Sequence, residues 1–162
     1  MNNQDKIDFI VGWITDYVSN MPKPAKSLVV GVSGGIDSAL TSTLASMTGL
    51  RTFALSMPIA TSSNNSSLGF AHGKWLEDKF TNTTHKTIDL TSTYMEFNSL
   101  LTNSDQGSDL GFANTKSRLR MVTLYQVAAA QSGIVVGTGN KVEDFGVGFY
   151  TKYGDGGVDI SP

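Results

Sequence analysis

Apolar and polar positions along the chain change period several times, and each change predicts an element. Between Lys6 and Asn20, apolar residues fall at Ile7, Ile10, Val11, Ile14, Tyr17 and Val18. That spacing predicts an amphipathic helix, closed by Pro22 and Pro24. Phe9 and Trp13 widen its apolar side, which must then be buried on the sheet or on another subunit. Ser27-Leu28-Val29-Val30-Gly31-Val32 is short, apolar and β-branched, as a strand covered on both faces is. Ala39 to Ala45 reads as a helix, and Arg51 to Ser56 as a second strand ended by Met57-Pro58. Thr61 to Ser67 reads as a mobile polar loop. Leu68 to Phe80 reads as a helix with Phe70, Ala71, Trp75 and Leu76 on one side. His85 to Ile88 is a short third strand. Thr93 and Glu96 have capping-box spacing for a helix running to Leu101. Asn103 to Gly111 reads as a loop, and Phe112 to Ser132 as a long helix stopped by Gly133. Ile134-Val135-Val136 is the fourth strand. His72 is expected on a helix face and His85 within a strand, and Met57, Met121 and the aromatic residues are expected in the core.

Strands alternating with helices predict an α/β fold: a doubly wound parallel sheet, Rossmann-like, with helices on both faces. Ligands of such sheets bind beyond the C-terminal strand ends. Two glycine-bearing turns fall there. Ser33-Gly34-Gly35-Ile36-Asp37-Ser38 leads from the first strand into a helix, and Gly137-Thr138-Gly139-Asn140 follows the fourth. A strand-to-helix turn aims backbone N–H groups and the positive end of the helix dipole at one spot, which suits a phosphate. Glycines let that ligand approach the backbone. It is not a Walker A loop, since no Lys follows the second glycine, and there is no Gly-x-Gly-x-x-Gly fingerprint. Asp37 beside a phosphate would repel it unless a Mg²⁺ bridges the two. Alternatively, Asp37 caps the helix.

Composition narrows the picture modestly. A chain of 162 residues with 40% hydrophobic content is expected to form one domain with a sizeable core. A net charge of −2 gives no electrostatic case for nucleic acid. There is no Cys, hence neither a disulfide framework nor a Cys-ligated zinc. Met1 to Asp5 is polar, unlike a signal peptide, and no apolar run approaches a membrane span. A soluble cytoplasmic protein is expected.

Ser-Gly-Gly-x-Asp-Ser after a strand resembles the pyrophosphate-binding loop of the adenine-nucleotide α-hydrolase-like ATP pyrophosphatases. Within that superfamily, Gly137 to Asp144, then Gly148 to Asp159 with its Lys152-Tyr153-Gly154-Asp155-Gly156-Gly157 run, and Asn114 to Met121 resemble the NAD synthetase family. The resemblance implies ATP-dependent amidation of deamido-NAD with ammonia, giving NAD, AMP and pyrophosphate through an adenylated nicotinate. It implies that Gly31, Val32, Ser33, Gly34, Gly35, Ile36, Asp37 and Ser38 hold ATP, with Thr138 contacting it from the neighbouring strand end. Asp37 and Glu143 would ligate Mg²⁺, with Asp144 as the alternative to Glu143. Asn114, Arg118, Lys152 and Asp159 would bind deamido-NAD, and Asp155 would position or deprotonate ammonia. A homodimer is implied, with the substrate at the subunit interface.

Plainer readings stand beside these. Arg118 and Arg120 fit a solvated helix face, Lys152 and Asp155 a turn salt bridge, and the C-terminal glycines turn punctuation. Family chains continue past the position of Pro162, so residues 1–162 are expected to be a single synthetase-like domain lacking its C-terminal part, with an open sheet edge and weak or no activity alone. Two alternatives follow: a truncated, non-catalytic nucleotide-binding or dimerisation module, and another ATP-pyrophosphatase-type ligase such as GMP synthetase, which shares only the first turn.

Overall fold

Four short strands carry much of the buried core. Leu28, Val29, Val30, Ala54, Leu55 and Val135 are each 0% exposed, as expected of strands covered on both faces. The computed structural model describes residues 2–59, 64–148 and 150–162. Helix α1 is Asn3–Ser19, strand β1 Ser27–Gly31, helix α2 Ile36–Met47, strand β2 Arg51–Ser56 and helix α3 Asn64–Lys79. Strand β3 is Thr83–Thr87, helix α4 Thr91–Asn103, helix α5 Asp109–Ala130 and strand β4 Gly133–Val136. A wide π-type turn, Glu143–Val147, follows.

The strands lie in the order β3-β2-β1-β4, and every pairing is parallel. Leu28, Val30, Ile134 and Val136 meet Ile14 and Val18 of α1 and Ala45 of α2. Ala54 meets Leu76 of α3 on the same side. The alternate residues Val29, Phe53, Leu55 and Val135 meet Tyr94 of α4 and Met121, Leu124 and Ala128 of α5. Three helices therefore cover one face and two the other, which is the doubly wound arrangement that the alternation of elements predicts. The direction of winding reverses between β1 and β4, where a crevice opens at the C-terminal strand ends. Both glycine-bearing turns start there. Beyond β4, Ile160 forms an isolated parallel bridge with Val136.

Several expectations need correction. Asn64 to Ser67 lie in α3, not in a polar loop; Thr61 to Ser63 fall outside the described residues. The α3 stripe on the sheet is Gly69, Gly73 and Leu76, and Phe70, Ala71 and Trp75 are exposed. Small residues let this helix approach the strands, so its buried side is not its most apolar side. Thr93 caps nothing: α4 begins at Thr91, whose N–H donates to Asp89 Oδ1 at 2.8 Å. Helix α5 starts at Asp109 because Ser108 Oγ accepts from Gly111 N at 3.1 Å. Its left-handed terminal residue is Ser132, at φ 52°, not Gly133. Gly133 already belongs to β4, where a Cβ would lie 2.7 Å from the carbonyl oxygen of Ser27. Met57 and Met121 are core residues as expected, but Phe9, Trp13, Tyr17, Phe70, Trp75, Phe97, Tyr150 and Tyr153 are exposed.

Candidate nucleotide site

Val32 extends β1 by donating its N–H to Leu55 O at 2.8 Å, and the chain then turns. Gly34 has φ 93°, a conformation that favours glycine. Ser38, 3% exposed, folds its hydroxyl back into this turn. Its Oγ accepts from Ser33 N at 3.1 Å, donates to Gly35 O at 3.0 Å and lies 3.1 Å from Ser33 Oγ. Ser33 Oγ accepts from Gly35 N at 3.2 Å. Gly35 is the N-cap of α2, and no side chain caps that helix. Among the described residues no side chain meets the first-turn amides of α2, an arrangement that suits an anion, with the helix dipole behind them.

Asp37 does not cap α2. Its Oδ2 accepts from Asn140 Nδ2 at 3.0 Å, across the crevice between β1 and β4. Asn140 Oδ1 in turn accepts from Val142 N and Glu143 N, each at 3.0 Å. One carboxamide therefore joins both candidate metal-ligand positions. Glu143 is exposed and its carboxylate has no partner among the described residues. Asp144 is half-buried, and a Cβ at position 139 would lie 2.5 Å from its Oδ2. Thr138 is half-buried beside them and Ile36 is 79% exposed at the mouth of the turn. No cluster of three or more His, Cys, Asp or Glu able to hold a metal occurs among the described residues. Two carboxylates with hard oxygen donors do suit Mg²⁺, which takes the rest of its shell from phosphate and water.

The remaining candidates form a second group along α5, with residues 151 to 159 running beside the helix. Thr151 Oγ1 donates to Asn114 Oδ1 at 3.0 Å. Ser117 Oγ donates to Asp155 Oδ1 at 2.6 Å, and Asp155 also accepts from Thr151 N at 3.2 Å. Arg118 Nε donates to Lys152 O at 3.1 Å. Asp159 accepts from Val135 N at 2.7 Å and from Tyr125 Oη at 3.1 Å. A cavity of about 470 Å³ lies here, lined by Met121, Val122, Tyr125, Gln126, Tyr153 and Gly157. Lys152 and Asp155 form no salt bridge: the ion pairs among the described residues are Lys74 with Glu77 and with Asp78. Lys152 Nζ instead lies 4.9 Å from the Tyr153 ring centroid. No hydrogen bond or ion pair joins the candidates of one group to those of the other among the described residues.

Three side chains that bond the candidates, Asn140, Ser117 and Thr151, were not singled out from the sequence, and Arg120 departs from its expected solvated face. Arg120 is half-buried, not solvated, and its Nε donates to Met57 O at 3.0 Å, at the C-terminal end of β2. Burial pulls its guanidinium below the ordinary arginine value. Its spacing from Arg118 was the available signal, because residues two apart on a helix cannot share one face.

The family model for NAD synthase matches residues 6–162. The chain belongs to the NAD synthase family. It is 40% identical over 141 residues to the NH₃-dependent NAD⁺ synthetase of Methanosarcina mazei, covering 85% of this chain and 53% of that protein. Among solved structures, the NMN synthetase of Francisella tularensis superposes with a TM-score of 0.87 at 34% identity, over 100% of this chain and 64% of that one. The NH₃-dependent NAD synthetase of Campylobacter jejuni superposes with a TM-score of 0.85 at 31% identity, over 100% and 67%. The chain thus spans about half the length of its Methanosarcina relative.

Proposed function

We propose that this chain carries the nucleotide-binding part of an enzyme that amidates deamido-NAD with ammonia at the expense of ATP. The observation behind this reading is the uncapped α2 N-terminus beneath Gly34 and Gly35, with Asp37 held by Asn140. Gly31 to Ser38 bind ATP, their amides receiving the pyrophosphate portion as it departs. Thr138 contacts ATP from the β4 side. Asp37 and Glu143 hold Mg²⁺, which when bound neutralises charge on the phosphates. Asn114, Arg118, Lys152 and Asp159 bind deamido-NAD.

The nicotinate carboxylate oxygen attacks the α-phosphorus, and the bond to the bridging oxygen breaks with release of pyrophosphate. Ammonia then attacks the acyl carbon, and AMP leaves with the bonding electron pair. Asp155, fixed by Ser117 and Thr151, positions the ammonia or takes its surplus proton. A homodimer in the cytoplasm, ammonia supplied free or by a separate partner, and a single domain over residues 1–162 complete this reading. No helix among the described residues is long and apolar enough to cross a membrane.

The test is AMP and NAD formation from deamido-NAD, Mg-ATP and ammonium, beside Asp37→Ala. Products that vanish in the variant support the reading, and equal turnover by the variant overturns it. Mg²⁺-dependent ATP binding without product would favour a non-catalytic nucleotide-binding module. The superposition on an NMN synthetase favours a second reading, in which the acceptor is the nicotinate mononucleotide. Faster turnover of the mononucleotide than of deamido-NAD would select it.

A further inference from the structure

We propose that Gly69 of α3 is a positioning residue for the nucleotide-binding turn, setting where the Gly34 amide stands. The inference rests on the reading that this turn receives ATP. A Cβ at Gly69 would lie 3.2 Å from Val32 O, 3.3 Å from Gly34 N and 3.3 Å from Ser33 C. All three are backbone atoms, unable to swing aside as a side-chain tip does. The helix is held close to the sheet. Leu76 is 0% exposed against the sheet, and the ring of His85 lies against Gly73, where a Cβ would collide with it. His72 Nε2 is 3.0 Å from Ser42 Oγ of α2, and His85 Nε2 is 3.0 Å from Ser56 Oγ of β2. With α3 held at residues 72 to 76, a side chain at 69 displaces the turn. On that reading, a turn amide moved off its ligand loses much of its worth.

Amide NMR spectra and Mg-ATP calorimetry of this chain test the proposal, with Gly69→Ala, Gly69→Val and the control Gly73→Ala. The Gly34 and Gly35 amide resonances should move in Gly69→Ala and further in Gly69→Val. Mg-ATP affinity should fall in the same order, by about tenfold or more for Val. Gly73→Ala presses on His85 along the same helix, so it should lower Tm while leaving Mg-ATP affinity unchanged. Unmoved Gly34 and Gly35 resonances in Gly69→Val overturn the proposal, as does equal loss of affinity in Gly73→Ala. If the unsubstituted chain binds no Mg-ATP, the nucleotide reading fails, and the amide shifts alone still decide whether Gly69 sets the turn.

Discussion

Asn140 donates its Nδ2 to Asp37 Oδ2 at 3.0 Å, joining positions 103 residues apart. The bond crosses the crevice where the sheet reverses its winding. The other end of the same carboxamide accepts from Val142 N and Glu143 N. Asp37 therefore has one oxygen oriented by protein and, among the described residues, one without a hydrogen-bond partner, and Glu143 is fixed at its backbone.

Asn140→Ala removes the donor to Asp37 and the acceptor for two turn amides together. Losing the acceptor should cost about 1 kcal/mol, as for a helix cap, and lower Tm by about 2–4 °C. Losing the donor frees the Asp37 carboxylate to rotate, and Mg-ATP affinity should fall about tenfold. Calorimetric titration and a thermal scan measure the two effects separately. Wild-type affinity in the variant would show that Asp37 needs no orienting partner.

Ser38→Ala tests the internal bonding of the turn. The hydroxyl serves Ser33 N, Ser33 Oγ and Gly35 O while almost fully buried. Its removal leaves Ser33 N without that acceptor, a loss of about 1–3 kcal/mol. Denaturant unfolding should show that decrease with an unchanged m-value. A variant as stable as the parent would mean that water replaces the hydroxyl in the turn.

The strands were legible because both faces of the sheet are covered. Leu28, Val29 and Val30 form a continuous apolar run, and β2 occupies Arg51 to Ser56 as read. Strand β3 was read two residues late, since Thr83-Thr84-His85-Lys86-Thr87 at the sheet edge contains no aliphatic residue. Helix α3 misled because its sheet side is built from Gly69 and Gly73, leaving Phe70 and Trp75 to solvent. The strand-to-helix turn was legible as a local pattern of glycine, hydroxyl and carboxylate. The partners that fix its side chains were not. Asn140 meets Asp37, and Ser117 meets Asp155, only because the topology brings distant segments together. Periodicity within one segment carries no information about such pairs.

His72 and His85 should make the fold weaker in mild acid. Burial lowers both imidazole pKa values. At His85, Glu77 opposes the shift, while the charges of His72 and Lys74 add to it. Below about pH 6.5 the unfolded chain therefore binds more protons than the folded one. Stability rises with pH wherever that holds, so the contribution is present above about pH 6.5 and is lost as pH falls toward the lowered folded values. Both rings are partly exposed, which keeps the slope shallow. Thermal scans between about pH 5 and pH 8 should show the decline, and a His72→Gln/His85→Gln variant should flatten it. An equal slope in that variant would assign the decline to the carboxylates.

Tyr125 and Asp159 set the opposite dependence at high pH. Burial, then the charge of Asp159, then their hydrogen bond push the Tyr125 phenol up to about 12. The folded state keeps that proton after the unfolded chain has released it at about pH 10. In this window the folded state holds more protons, so the contribution is complete below about pH 10 and disappears as pH rises toward 12. Tyr125 should titrate late by phenolate absorbance. Tyr125→Phe should remove that late component and leave Asp159 bonded to Val135 N alone. If Asp159 binds substrate, the variant leaves its Oδ1 without its tyrosine partner, and KM for deamido-NAD should change with little effect on kcat. Loss of the late titration with KM unchanged would instead make the pair a clasp that ties residues 151 to 159 to α5.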